Sequence, residues 1–406
     1  VRDRWWSVID RRQWHALGAA MAGWLLDGMD VMLFTFALNA IRAEFGLSGA
    51  AVGSLASVSL LASAGGGILF GYLADRYGRV RALSWSILLY SVSTALTATA
   101  RSLPEMMLWR VLLGIGLGGE WSAGAVLVVE TWPPRHRGKA IGIMQSGWAL
   151  GYLAAAVLAA FILPAWGWRA LFAVGIAPAL LTLWIRHGVP EPDAWAQTTA
   201  RSPHRARELA ACLDRLVPAS ALAASVLFAY WGLFTWLPAY LGAARLAGGA
   251  GLGLVRTSAW MVPVELGAFA GYVSFGFLAD RFGRKPVFIV FVAVASVLVP
   301  VYGGMARSRM WLLALGPLVG FFGHGYFSVF GALLAELFPA AIRATAQGIC
   351  YNVGRALSAV APAVIGALAD RVGIGGALSL TSGFFLSAAG LILLLPATQS
   401  DTLTAR

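Results

Sequence analysis

Apolar residues run along this chain in twelve blocks, and polar residues gather in the gaps. The blocks lie at approximately 15–40, 51–74, 82–100, 104–130, 138–163, 168–186, 216–241, 254–278, 286–305, 310–336, 344–368 and 374–396. Roughly twenty apolar residues, at about 1.5 Å rise each, cross the hydrocarbon core of a bilayer. Each block therefore predicts one transmembrane helix, and six fall in each half. The longest hydrophilic stretch, 187–215, holds Pro190, Glu191, Pro192, Asp193, Arg205, Arg207, Glu208 and Asp214. Too polar to bury, it reads as a linker between an N-terminal bundle (1–186) and a C-terminal bundle (216–406).

The halves repeat one another. Gly71-Tyr72-Leu73-Ala74-Asp75-Arg76-Tyr77-Gly78-Arg79 returns 205 residues later as Gly276-Phe277-Leu278-Ala279-Asp280-Arg281-Phe282-Gly283-Arg284. The ends of spans four and ten also match. Glu130, Pro133 and Arg137 stand in the same order as Glu336, Pro339 and Arg343, 206 residues on. Two matches at nearly one offset imply duplication of a membrane unit, a common build for secondary transporters. The predicted fold is an all-α integral membrane protein with twelve transmembrane helices in two pseudo-symmetric six-helix bundles.

Composition agrees: 59% of the 406 residues are hydrophobic and 12% charged, against about a quarter charged in soluble domains. The net charge of +12 would suit nucleic acid, but its placement argues for a membrane. With alternate loops assigned to opposite sides, one side holds twenty of the thirty Lys and Arg residues and the other eight; Arg110 and Arg355 sit inside spans. Positive loops stay in the cytoplasm, so both termini and both repeated turns are expected there, in an inner (plasma) membrane. The basic charge then meets anionic lipid, with no nucleic-acid partner. Cys212 and Cys350 lack metal-ligand spacing, and no metal, cofactor or disulfide is expected. No nucleophile–base pair stands out, so an enzyme is not expected. The first apolar run is long enough to stay as an anchor, and no signal-peptide cleavage is expected.

Charges within the spans are the candidate chemistry. Asp27 and Asp30 are three residues apart and so share a helix face. Counted from Ala16, Asp27 lies about 16 Å into its span, near the midplane. Two carboxyls so close in an apolar segment suit a group that loads and releases a proton; a pair buried against Arg or backbone groups would be structural. Glu120 lies deep in span four and needs a partner or a proton. Arg110, roughly 9 Å in from the far face, is placed to snorkel or to take part in coupling. Arg355 lies roughly 18 Å into span eleven. It needs an anion: a fixed carboxylate such as Glu265, or the carboxylate of a solute held bidentately. His324 suits a proton relay or a simple hydrogen bond within its helix. Gln145, Trp148 and Tyr152 are spaced to line one face of span five. With Tyr351 and Asn352 they are candidates for the substrate site. In the repeated turns, Gly78 and Gly283 permit a tight reversal. Asp75 and Asp280 can accept from a neighbouring helix N-terminus, and the arginines can pair with Glu130 or Glu336.

These turns resemble the signature of the major facilitator superfamily, with Val80 where a basic residue is usual and Arg81 as its candidate stand-in. The resemblance covers essentially the whole chain. It implies that the turns lock the two halves together in the outward-open state, through Asp75, Arg76, Gly78, Arg79, Glu130 and Arg137, and through Asp280, Arg281, Gly283, Arg284, Glu336 and Arg343. Asp27-Gly28-x-Asp30, Gly118-Gly119-Glu120-Trp121, Gln145-Ser146-Gly147-Trp148 and Tyr351-Asn352-Val353-Gly354-Arg355 resemble sialate- and organic-acid-type proton symporters. The function this implies is proton-coupled uptake of a small organic acid anion by a monomer working through alternating access. Alternatives are a drug or metabolite efflux antiporter, a sugar carrier, or a transporter-like metabolite sensor. Span five lacks the Gly-Pro pair usual in drug antiporters, and the linker's Pro190-Glu191-Pro192 lacks the Arg of the sugar-carrier motif.

Overall fold

The computed structural model describes residues 9–133, 137–180, 205–339 and 342–396. Helix α1 (Arg11–Phe45) begins at a capping box in which Asp10 accepts from the Gln13 N–H and the Gln13 side chain accepts from the Asp10 N–H. It stops at Gly46, whose φ of 63° is left-handed. Helices α2 (Gly49–Tyr77), α3 (Arg79–Thr97) and α4 (Leu103–Thr131) follow, α2 and α4 capped by Ser48 and Ser102. In α5 (Arg137–Ala173), Gly167 at φ 74° breaks the run and divides the fifth span from the sixth. The second half holds α6 (Leu213–Gly242), α7 (Leu254–Phe282) and α8 (Arg284–Gly304).

The last three spans are each broken. Span ten is α9 (Arg309–His324) and α10 (Phe327–Leu337); span eleven is α11 (Arg343–Ser358) and α12 (Ala361–Val372). Span twelve is α13 (Ile374–Leu378) and α14 (Leu380–Leu391). Pro362, without an N–H to give, sits in the first turn of α12, where that loss is harmless. Eight helices among the described residues are long and apolar enough to cross a membrane. One of them, Lys139–Ile176, holds both the fifth and the sixth span. Part of the expected linker is helical: Arg205–Ala210 forms a short helix and α6 starts at Leu213. Residues 187–204 lie outside the described residues.

The duplication extends into backbone packing. A Cβ added to Gly66 would lie 2.1 Å from the Ile115 carbonyl oxygen, and one added to Gly271 would lie 2.3 Å from that of Phe321. Gly114 against Ser59 and Gly320 against Val264 repeat the same relation, at 2.2 and 1.8 Å. Each glycine lets two backbones touch, the packing membrane helices favour in the absence of a hydrophobic drive. The crossing of α2 with α4 is thus reproduced by α7 with α9. Between the halves, α2 packs along α11 and α12, and α5 packs along α7.

Candidate functional site

A cavity opens between the two bundles. Its N-terminal wall includes Trp24, Asp27, Phe34, Arg110, Gln145 and Trp148; its C-terminal wall includes Tyr230, Trp231, Tyr272, Phe327, Tyr351 and Arg355. At about 50 Å³, it has room for a few water molecules. Anything larger enters only if the walls move.

Aromatic side chains set its shape. Trp148 lies 4.7 Å from Trp24 and 6.0 Å from Trp231, centroid to centroid. The Trp148 Nε1–H donates to the Tyr230 hydroxyl, tying α5 to α6 across the seam. That hydroxyl also lies 3.3 Å from His324 Nε2. Both cavity arginines lie over rings: Arg110 over Phe34 at 4.2 Å and Arg355 over Tyr351 at 4.8 Å.

Several expectations need correction. Asp27 and Asp30 do not act on one face: Asp27 lines the cavity, while Asp30 points behind α1 and accepts from the Thr94 hydroxyl at 3.1 Å. A 100° step per residue puts positions three apart about 60° out of line, enough to send the two carboxyls to different neighbours. Arg110 does not snorkel; it is 2% exposed and turned inward, where Nε donates to the Leu55 carbonyl at 3.5 Å. Glu265 is not the partner of Arg355. Neither Glu265 oxygen has a hydrogen-bond partner, and among the described residues no ion pair joins it to Arg355. Arg355 instead attracts Asp27 and Glu120 across the seam, and among the described residues it forms no ion pair.

Glu120 stays behind the cavity wall, both oxygens buried without hydrogen bonds, in space left by Gly23. His324 is also one layer back, with Nδ1 3.2 Å from the Gly320 carbonyl. Gln145 and Trp148 line the cavity; Tyr152 instead donates to the Phe234 carbonyl at 3.0 Å. Tyr351 lines it as well, whereas Asn352 donates to the Gly348 carbonyl and packs on Gly67 of α2.

The family model for the Major Facilitator Superfamily matches residues 20–274 and 257–406. The chain belongs to that superfamily. The cis,cis-muconate transport protein of Acinetobacter baylyi is 33% identical, over 94% of this chain and 94% of its own. The sialic acid transporter NanX of Escherichia coli is 29% identical, over 96% and 95%. A partially occluded inward-open structure of the xylose transporter XylE from E. coli superposes with a TM-score of 0.74 at 21% identity, covering 96% of this chain and 99% of that one. The protein is thus a transporter of the major facilitator fold, not an enzyme.

In this major facilitator chain the repeated turns lie far from the cavity. Arg79 Nη2 sits 3.3 Å from Glu130 Oε1, joining α3 to α4. Arg76 donates to the Tyr72 hydroxyl at 2.8 Å, and Arg281 lies over the Phe282 ring. Gly78 and Gly283 take φ of 113° and 86°. Val80 is buried, which accounts for its apolar character, and Arg81 is exposed. The side chains of Asp75, Arg137, Asp280, Glu336 and Arg343 lie outside the described residues.

The sequence reading missed the aromatic lining residues Trp24, Phe34, Tyr230, Trp231, Tyr272 and Phe327. Signals existed for two of them. Trp24 stands one helical turn before Asp27. Tyr230 stands 206 residues after Trp24, the interval that also separates Gln145 from Tyr351.

Proposed function

We propose that this transporter takes up a small organic acid anion together with protons, by alternating access between the two bundles. The observation that carries this reading is Arg355. It is a buried guanidinium on the cavity wall with no ion-pair partner among the described residues and an Nε without a hydrogen bond. A cation held in that way inside a membrane protein calls for an anion, and a carboxylate matches its planar fork. Asp27 of the opposite bundle competes electrostatically for the same guanidinium. Protonating Asp27 would release Arg355 to the solute, and losing the proton would help expel it. The aromatic walls favour a flat or apolar body behind the carboxylate. The names of the muconate and sialic acid relatives support the acid class.

The charge bias of the loops supports a cytoplasmic placement of the repeated turns and both termini, with bundles 1–186 and 216–406 moving about the seam in a monomer. The test is reconstitution in liposomes with an inward proton gradient and labelled carboxylates. Uptake should be accompanied by proton entry and abolished by Arg355→Gln. Substrate-driven proton entry that survives Asp27→Asn unchanged removes Asp27 from the mechanism, and proton flow opposite to the solute replaces uptake with export.

A further inference from the structure

The turn that marks the duplication occurs a third time. Gly366-Ala367-Leu368-Ala369-Asp370-Arg371-Val372-Gly373 has the same Gly-x-Leu-Ala-Asp-Arg-x-Gly order as 71–78 and 276–283. The backbone agrees. Gly78, Gly283 and Gly373 have φ, ψ of 113°, 153°; 86°, 153°; and 79°, 157°. Each glycine N–H bonds to the alanine carbonyl four residues earlier, at Ala74, Ala279 and Ala369, and the next helix starts at once. The first two copies end spans two and eight. The third ends span eleven, which puts it on the opposite face of the molecule.

There it is engaged with the other bundle. Asp370 Oδ2 accepts from the Gly49 N–H in the first turn of α2 at 2.8 Å, and Oδ1 lies 2.7 Å from Arg42 Nη2 of α1. A Cβ on Gly366 would lie 2.3 Å from the Gly49 carbonyl oxygen, so the backbones touch. The matching Gly71 and Gly276 of the other copies meet no described atom within 4 Å. Helix α2 and span eleven run antiparallel side by side, with Gly49 beside Gly366, Gly53 beside Pro362 and Gly67 beside Asn352. The end of each therefore lies near the beginning of the other. Asp370 at the start of α2 and Asp75 near the start of span eleven are related places on opposite faces.

We propose that the Asp370 turn is an outer latch, closed when the cavity is sealed from outside, and that it works in alternation with the Asp75 turn on the cytoplasmic face. Helix α2 is the strut between them, with one end in each. A carboxylate at a helix start gains the free N–H and the positive end of the helix dipole. The ion pair to Arg42 is about one-third exposed on both sides, and such pairs are weak. That suits a contact which must open in every cycle. The inference rests on the alternating-access reading, but its test needs no substrate.

The experiment replaces Cys212 and Cys350 by serine and introduces Ala56→Cys, a buried cavity position on α2, as a reporter. A membrane-impermeant maleimide is applied from outside. Asp370→Asn should raise the labelling rate about three- to tenfold, a shift of the size one such contact supplies. Arg42→Gln, which leaves the Gly49 bond intact, should raise it less, and Asp75→Asn should lower it. Unchanged or reduced labelling in both outer variants, with the protein monodisperse in detergent, overturns the proposal. So does a rise with Asp75→Asn. If Asp370→Asn is not recovered folded, Arg42→Gln decides alone. Failure of solute uptake in liposomes would refute the function and leave this labelling result standing.

Discussion

At the scale of single residues, the site is an argument between one cation and two acids. Arg355 attracts Asp27 and Glu120 from across the seam without closing on either. Replacing it by lysine keeps the charge but loses the planar fork, so Arg355→Lys should weaken solute binding about tenfold, read by thermal shift or isothermal titration. Arg355→Gln should abolish binding while the protein still folds, because no fixed ion pair is broken. Trp148→Phe removes the hydrogen bond to Tyr230 and keeps most of the ring; half-saturation should rise about three- to tenfold, with folding little changed. That Asp27 and Arg355 lie inside spans was legible from the apolar blocks alone. Their relation was not, because no single-sequence spacing says that residues of different bundles face one cavity. The divergence of Asp30 toward Thr94 depends on which helix lies behind α1, which a spacing of three cannot tell.

At the scale of helices, close backbone contact decides which spans can cross. Gly114 and Gly320 occupy equivalent crossings, each directly beneath a carbonyl of the neighbouring helix. A leucine at either place forces backbones apart, at a cost of about 1–3 kcal/mol or more by overpacking. Gly114→Leu and Gly320→Leu should each lower the melting temperature in detergent, whereas Gly71→Ala, where no described atom lies within 4 Å, should leave it nearly unchanged. The span pattern made the number and ends of the helices readable to within a few residues, since apolar length is set by the bilayer. The breaks in spans ten and eleven were not readable from it. Gly325-Tyr326 and Ala359-Val360 are apolar pairs inside apolar runs, and only Pro362 among their neighbours signals a helix start. Both breaks follow residues of interest, His324 and Arg355. Broken helices at membrane depth are tolerated where protein or a cavity satisfies the freed backbone groups.

At the scale of the whole molecule, the duplication gives two bundles with one backbone plan and unequal chemistry. The N-terminal bundle holds Asp27, Asp30, Arg110 and Glu120 in its interior; the C-terminal bundle holds Glu265, His324 and Arg355. The residue 206 positions after Asp27 is Leu233, so the second copy lacks the cavity acid. Under the proposed function, divergence of this kind would let one bundle handle the proton and the other the solute. The seam includes α2 against α11 and α12, α5 against α7, and α1 against α6, with hydrogen bonds such as Tyr152 of α5 to the Phe234 carbonyl of α6. Those contacts, rather than the linker, should hold the bundles together. Cutting the chain within 187–204 and co-expressing residues 1–195 with 196–406 should therefore yield halves that copurify and regain solute uptake in liposomes. Either half alone should show none, because each carries one wall of the cavity. Copurification without uptake would mean that the linker sets the motion, and halves that do not associate would mean that the seam is too weak to assemble without a tether.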